Sequence, residues 1–282
     1  MKKQILVALF CCLFIVSAQH TSNARISESI EILDDETGRS VIAHLAKPDT
    51  GVAAVGVIVI HENQGLTDWV KSVADRLADN GYIAIAPDLL SGKGPNGGGT
   101  DDFASSDDAR TAIGTLDSDQ ITRDLQDVTQ YLREQTGVIE VSVSGFCWGG
   151  AQSFRYATNE ASLAAAFVFY GTPPTADEIS RIRSPIYGFY AENDSRINET
   201  IPATQEATES AGVTYAYEIY PGVGHAFLRS VEDAENPSEV EQASFDAAWT
   251  RFLDLLEAQV VITSVTPQGK APTTLGEKKD AD

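Results

Sequence analysis

The chain has 282 residues and a formal net charge of −21 at pH 7, from 41 acidic side chains against 20 Lys and Arg. This excess of negative charge disfavours nucleic acid and anionic membrane surfaces, so we expect neither as a partner. The length suits one large α/β domain better than two small ones.

The first 18 residues have the pattern of a signal peptide. Lys2 and Lys3 form a basic start, and the apolar run over residues 5–16 is too short to span a bilayer before small residues follow. We therefore predict an exported protein, periplasmic or extracellular, from which residues 1–18 are removed. Two of the three cysteines leave with this segment, so Cys147 becomes the one cysteine of the mature chain and no intrachain disulfide can form.

The next segments alternate between strands and a helix. Residues 26–33 and 40–46 predict two strands that form a hairpin. Residues 52–60 are a continuous apolar run, typical of a strand that is buried on both faces. A helix over residues 68–80 and a strand over residues 82–86 follow. This alternation predicts an α/β protein with a mostly parallel sheet.

Residues 89–118 are the least regular part of the chain. Residues 91–99 read Ser-Gly-Lys-Gly-Pro-Asn-Gly-Gly-Gly, and several aspartates follow them, which predicts a mobile loop with a short helix. Aspartates among glycines also occur in calcium-binding loops, but the spacing of an EF-hand is absent, and we predict no metal. Asp119 is expected to cap a helix that runs to about residue 135.

The segment 145–150, Gly-Phe-Cys-Trp-Gly-Gly, carries the clearest functional signal. It follows an apolar, β-branched run over residues 138–143 and leads into a predicted helix, which is the pattern of a nucleophile elbow with Cys147 as the reactive residue. So tight a turn crowds the residues two positions before and after the nucleophile, and Gly145 and Gly149 lack the Cβ that would clash. A lone cysteine is more often a small buried hydrophobic residue, but that interpretation leaves the glycines unexplained.

The rest of the chain continues the alternation of strands and helices. Strands are predicted over residues 163–170, 185–190 and 214–220, and helices over residues 175–181, 199–211 and 238–259. We place the domain at residues 24–260, and residues 262–282 predict a disordered tail because they are rich in Thr, Pro, Gly and charge.

Two residues that can serve a cysteine nucleophile follow the last two strands. Cys147, Asp194 and His225 occur in the chain order of α/β-hydrolases, each at the carboxyl end of a predicted strand. Free cysteine titrates near 8.5, so an ionised thiol needs a neighbour that lowers its pKa. Two alternatives stay open: Glu192 rivals Asp194, which is also suited to capping the next helix, and His61 rivals His225.

Residues 61–65, His-Glu-Asn-Gln-Gly, close the third predicted strand, where α/β-hydrolases build half of the oxyanion hole. We assign its two donors to the backbone N–H groups of Asn63 and Trp148. Glu62 is unusual here, because a carboxylate would repel the developing negative charge and must be paired, protonated or turned away. It either forms a salt bridge that holds the loop or acts as a partner of the Cys147 thiol.

Five segments occur together in this chain: Gly-Phe-Cys-Trp-Gly-Gly, a His-Glu-Asn loop, Ala-Pro-Asp-Leu, Glu-Asn-Asp and Gly-His-Ala-Phe-Leu-Arg. In combination, over about residues 55–256, they resemble the dienelactone hydrolase family, which are carboxymethylenebutenolidases with a Cys-His-Asp triad. The resemblance implies an α/β-hydrolase fold, a mostly parallel sheet with helices on both faces and an N-terminal antiparallel hairpin. It also implies that Glu62 helps to generate the thiolate when substrate binds, and that Arg229 holds a substrate carboxylate.

One departure from the family pattern concerns the substrate. Family enzymes that open dienelactone carry a tyrosine and a second arginine after the Pro-Asp-Leu segment, whereas residues 90–93 of this chain read Leu-Ser-Gly-Lys. Lys93 supplies a positive charge there but not a bidentate clamp, and the export signal also differs from the cytoplasmic members.

We therefore predict a hydrolase of a small ester or lactone that works through a thioester on Cys147, as a monomer and with no metal or organic cofactor. Two alternatives stay open: a redox-active thiol protein, and a non-catalytic binding domain on the same fold.

Overall fold

The structure is a computed structural model that describes the backbone of residues 25–34, 37–49 and 54–265, with side chains up to residue 260. The predicted signal peptide at residues 1–18 and most of the predicted tail at residues 262–282 lie outside the described residues.

The described strands form a single mixed sheet. They are β1 (Arg25–Leu33), β2 (Ser40–Pro48), β3 (Val55–Ile60), β4 (Ile83–Pro87), β5 (Glu140–Phe146), β6 (Ala166–Phe169), β7 (Ile186–Asn193) and β8 (Tyr215–Gly224). Their order in the sheet is β1-β2-β4-β3-β5-β6-β7-β8. The pairs β1–β2 and β2–β4 are antiparallel, and every later pair is parallel. The predicted hairpin and the mostly parallel sheet are therefore confirmed.

The described helices lie between strands, except the last two, which follow β8. They are α1 (Asp68–Asp79), α2 (Ser106–Ile113), α3 (Ser118–Glu134), α4 (Trp148–Ala157), α5 (Ala176–Ile179), α6 (Ser195–Asn198), α7 (Ile201–Ala211), α8 (Phe227–Asp233) and α9 (Glu239–Val265). A short 3₁₀ turn covers Thr100–Asp102. Nothing among the described helices is both long enough and apolar enough to span a membrane.

The sheet is covered on both faces, because its central strands alternate two sets of buried side chains. Val57 and Val59 of β3 pack into the cluster that includes apolar residues of α1, α8 and α9. Ile58 and Ile60 of the same strand pack into the second cluster, with apolar residues of α3, α4 and α7. A strand buried on both faces reads as a continuous apolar run, which explains the pattern in the sequence.

The glycine-rich loop has a defined fold that is built around two carboxylates. A Cβ atom at Gly99 would lie 2.1 Å from Asp88 Oδ2, and a Cβ atom at Gly94 or Gly98 would lie 2.5 or 2.6 Å from the Asp102 side chain. Asp102 Oδ2 accepts the Gly98 N–H at 2.8 Å. The glycines are therefore needed because they let these carboxylates approach the backbone.

Three details differ from the sequence expectations. The N-cap of α3 is Asp117, whose side chain accepts the Gln120 N–H, so the prediction of Asp119 as the cap is wrong. Helix α8 was not predicted, since seven residues after a Gly-rich turn give too short a periodic pattern to detect. Helix α9 continues to Val265, beyond the predicted end at residue 259, and so includes the first residues of the predicted tail.

Candidate active site

Cys147 lies on a sharp turn between β5 and α4, with φ 55° and ψ −112°. A Cβ atom on Gly145 would lie 2.0 Å from the Gly149 carbonyl oxygen, and one on Gly149 would lie 2.3 Å from the His61 carbonyl oxygen. Atoms at these distances overlap, so neither position accepts a side chain. The prediction that the turn requires glycine two positions before and after Cys147 is confirmed.

Three side chains that follow the carboxyl ends of β5, β7 and β8 contact one another in succession. The His225 Nε2 atom lies 3.1 Å from Cys147 Sγ, and the His225 Nδ1 atom lies 2.5 Å from Asp194 Oδ2. A carboxylate only accepts, so Nδ1 carries the ring proton and Nε2 is free to accept the thiol proton. Asp194 is 6% exposed, and this burial limits the screening of its charge by water.

The structure distinguishes between the alternatives for the acid and the base. Asp194 stands at the N-cap position of α6, but its side chain makes no capping hydrogen bond there. Glu192 accepts the backbone N–H of Gly222 at 2.9 Å and is exposed, so it supports the turn before His225. The acid that contacts the His225 ring is Asp194.

His61 is fully buried, and both of its ring nitrogens have partners. Its Nε2 accepts the Leu89 N–H at 3.3 Å, so Nδ1 carries the proton and donates to the Glu62 carbonyl oxygen at 2.7 Å. The ring stacks on the Trp148 indole with centroids 5.3 Å apart. Burial lowers the pKa of His61, which favours the neutral ring. Because both ring nitrogens are engaged, His61 shapes the loop and offers no free base to Cys147.

Glu62 is paired, which resolves the problem of a carboxylate beside an oxyanion hole. Its Oε2 accepts from Arg229 Nε at 2.6 Å, while its Oε1 is buried and has no hydrogen-bond partner among the described residues. Burial raises the pKa of Glu62, and the nearby Arg229 charge acts in the opposite direction. Arg229 lies on α8 and also contacts Asp233 at 3.5 Å.

The pKa of the Cys147 thiol is raised above its ordinary value. Burial is the main cause, the negative charge of Glu62 adds to it, and a hydrogen bond from the Trp148 backbone N–H opposes both. The expectation that a neighbour lowers this pKa therefore does not hold. Ionisation of the thiol must accompany a proton transfer to His225 or a change in the charge of Glu62.

The remaining predicted residues occupy two different loops. Asn63 lies between β3 and α1, directly after Glu62, and Trp148 is the first residue of α4. Lys93 lies on the glycine-rich loop with an exposed side chain, and in the part of the chain that the structure describes no hydrogen bond or ion pair joins it to Cys147 or Arg229. Its assignment to substrate binding stays a prediction.

Sequence reasoning missed Tyr170, which follows β6. It has an unusual φ of 42°, and its ring lies edge-on to the His225 ring with centroids 5.2 Å apart. Its hydroxyl is buried and has no partner within residues 25–34, 37–49 and 54–260. The sequence signal for Tyr170 was its position: it is a polar aromatic residue at the carboxyl end of a predicted strand, where the site residues of this fold lie.

The described side chains include no group of three or more His, Cys, Asp or Glu residues that could hold a metal ion. The site instead places His225 within hydrogen-bond reach of both Cys147 and Asp194. A nucleophile, a base and an acid in this arrangement are suited to acyl transfer.

Comparisons with known proteins agree with this geometry. The model of the dienelactone hydrolase family matches residues 41–260. Two relatives named "Putative carboxymethylenebutenolidase" are similar to this chain. The one from Salmonella typhi is 28% identical, over 83% of this chain and 88% of its own length. The one from Saccharolobus solfataricus is 30% identical, over 80% of this chain and 97% of its own length. The solved structure titled "Putative Dienelactone Hydrolase" from Klebsiella pneumoniae subsp. pneumoniae is 26% identical, covers 82% of this chain and 98% of its own, and superposes with a TM-score of 0.71.

Proposed function

This chain belongs to the dienelactone hydrolase family of α/β-hydrolases, and from that premise we propose that it is an exported enzyme that cleaves a small ester or lactone through a thioester on Cys147. The observation that carries the proposal is the 3.1 Å contact between Cys147 Sγ and His225 Nε2 on a nucleophile elbow. The preferred substrate bears a carboxylate.

Acylation begins with a proton transfer. His225 accepts the thiol proton as Cys147 attacks the substrate carbonyl, and Asp194 stabilises the imidazolium that forms. This transfer accompanies the attack because the thiol pKa is raised in the free site. His225 then protonates the leaving alkoxide or enolate, and later removes a proton from the water that hydrolyses the thioester.

The tetrahedral oxyanion needs donors that are in place before the reaction. We assign this role to the backbone N–H groups of Asn63 and Trp148, which lie on the two loops that flank Cys147. The hydrogen bond from each N–H donor strengthens as negative charge develops on the acceptor oxygen.

Arg229 and Glu62 give the site a reason to prefer an anionic substrate. The guanidinium matches a carboxylate in shape, and in the unliganded site it binds Glu62. A substrate carboxylate competes for Arg229 and releases the Glu62 carboxylate, which then helps to generate the thiolate by accepting a proton and not through its negative charge.

Ester turnover by purified protein tests the proposal. We expect the wild type to hydrolyse p-nitrophenyl acetate and members of a lactone panel, and to show one acetyl group on Cys147 by mass spectrometry. Cys147→Ala abolishes both. Oxidation of Cys147 by peroxide without ester turnover would favour the redox alternative, and no reaction of either kind would favour the binding alternative.

The role of Arg229 is tested with paired substrates. Arg229→Lys keeps the charge but loses the planar guanidinium, so we expect a raised KM for an ester with a carboxylate and little change for p-nitrophenyl acetate. Arg110→Lys, at an exposed position in the last turn of α2, is the matched control.

Export rests on the N-terminal sequence alone. We propose that the mature protein begins at residue 19 and carries its domain over residues 24–260. Expression of the full chain in a Gram-negative host, followed by fractionation and N-terminal sequencing, tests this, and recovery of Met1 on the product would contradict it.

A further inference from the structure

We propose that Asp88 and Thr100 are positioning residues that fix the loop over residues 61–66, and with it the Asn63 N–H that is to bind the oxyanion. The inference rests on the proposed ester hydrolysis and deepens it. It gives a role to the glycine-rich segment between β4 and α2, which the proposed chemistry does not otherwise use.

The Thr100 hydroxyl joins this segment to the end of the loop. Its Oγ1 accepts the Leu66 N–H at 2.9 Å and donates its own proton to Asp88 Oδ1 at 2.8 Å. The Thr100 N–H donates to the other carboxylate oxygen, Oδ2, at 2.6 Å. Asp88 is 4% exposed, so these bonds form where water does not compete with them.

The same segment also holds the beginning of the loop. Leu89, the residue after Asp88, donates its N–H to His61 Nε2 at 3.3 Å, and His61 in turn bonds the Glu62 carbonyl oxygen. Leu89 therefore holds the beginning of the loop that carries Asn63, and Asp88, through Thr100, holds its end.

Thr100 packs directly against Gly65, and Asp88 packs directly against Gly99, with no room for a side chain at either glycine. A Cβ atom on Gly65 would lie 2.1 Å from Thr100 Oγ1, and one on Gly99 would lie 2.1 Å from Asp88 Oδ2. Gly65 also has a φ of +84°, which favours glycine. A shift of Thr100 is therefore transmitted to the loop backbone, and Asn63 lies only three residues before Leu66.

Two reactions of the same thiol separate this role from a merely structural one. Acylation of Cys147 by p-nitrophenyl acetate forms an oxyanion, whereas alkylation by iodoacetamide displaces iodide and forms none. Both rates require the thiolate and an open site, but only the first requires a correctly placed oxyanion donor. The ratio of the two rates therefore reports on the loop.

The test compares Thr100→Val, which removes the hydroxyl at nearly constant volume, with Thr100→Ser, which keeps it. We expect Thr100→Val to slow acylation by roughly 10- to 100-fold, since a displacement of about 1 Å costs up to about 100-fold, with the alkylation rate within about 2-fold of wild type. Thr100→Ser recovers most of the acylation rate. Thr111→Val, which removes an exposed hydroxyl from α2, is the matched control and changes neither rate.

Three results would count against the proposal. Acylation of Thr100→Val at the wild-type rate, or an equal loss in both reactions, would overturn it. If Thr100→Val does not fold, Asp88→Asn is compared in the same way, and an equal loss in both reactions would again overturn it. A wild type that is alkylated normally but never acylated would instead overturn the proposed function itself.

Discussion

Replacing Asp194 with asparagine tests the proposed triad most directly. The side chain keeps its shape and can still accept a hydrogen bond from His225 Nδ1, but it loses its charge. The fold is expected to survive, because the amide fills the same buried space. What changes is the stability of the imidazolium that forms when His225 takes the thiol proton.

The size of the effect follows from the geometry of the pair. Asp194 Oδ2 lies 2.5 Å from His225 Nδ1, and the carboxylate is 6% exposed. Two unit charges with centres about 4 Å apart, at an effective dielectric constant of about 20, attract by about 4 kcal/mol. At about 1.36 kcal/mol per factor of ten, Asp194→Asn should lower kcat/KM by about 1,000-fold.

The assay is kcat/KM for p-nitrophenyl acetate, measured across the pH range for Asp194→Asn and two controls. Asp254→Asn changes an exposed carboxylate on α9, and Glu192→Gln changes the rival acid. Both should stay within a few-fold of wild type. A loss below about 10-fold for Asp194→Asn, or a larger loss for Glu192→Gln, would refute the assignment of Asp194 as the residue that stabilises the imidazolium.

Further predictions concern the thiol, a buried hydroxyl and the elbow. The Glu62 charge raises the pKa of Cys147. Glu62→Gln should therefore shift the pH midpoint of iodoacetamide alkylation downward. An upward shift would contradict this and would show that Glu62 acts as a base in the protein without substrate. Tyr170→Phe removes a buried hydroxyl that has no hydrogen-bond partner among the residues with described side chains, so the free energy of unfolding in urea should be unchanged or higher by up to about 1 kcal/mol. A fall beyond about 1 kcal/mol contradicts this. Gly145→Ala places a methyl group 2.0 Å from a backbone carbonyl oxygen and should destabilise by more than about 3 kcal/mol or prevent folding. Gly114→Ala, in ordinary αR backbone at the end of α2, should shift the melting temperature little by comparison.

Two features of the site disfavour ionisation of the Cys147 thiol. Burial and Glu62 raise the pKa of Cys147, and Glu62 itself is held by Arg229. A protonated thiol reacts slowly with oxidants, since the thiolate is the reactive form. The same contacts that limit reactivity in the free protein are the ones that we expect a carboxylate-bearing substrate to change.

The sequence was sufficient for the parts of the site that depend on near neighbours and on strand order. The glycines around Cys147 follow from steric crowding within five residues, which does not depend on the rest of the fold. Cys147, Asp194 and His225 could be grouped from the sequence alone, because parallel strands place their carboxyl ends at one edge of the sheet. The pairing of Glu62 was one of three alternatives that electrostatics alone left open.

Other features could be decided only in three dimensions. The partner of Glu62 is Arg229, 167 residues away, on a helix that the sequence pattern did not reveal. The bonds of Thr100 reach Leu66 and Asp88, and the glycines of that loop read as flexibility in the sequence but serve close approach in the structure. The direction of the Cys147 pKa shift was also misjudged, since it depends on burial and on charges that separate elements bring to the thiol.

The sequence by itself determined the elbow, the succession of strands and helices along the chain and which strand ends carry reactive side chains, because periodicity and local steric exclusion act over a few residues. Tertiary structure alone decided the partner of each charge, the burial of each polar atom and the attachment of the glycine-rich loop to the loop that carries Asn63. The physical reason is that hydrogen bonds and desolvation depend on small differences in the distance between segments that are far apart in the chain. No local sequence pattern records those distances.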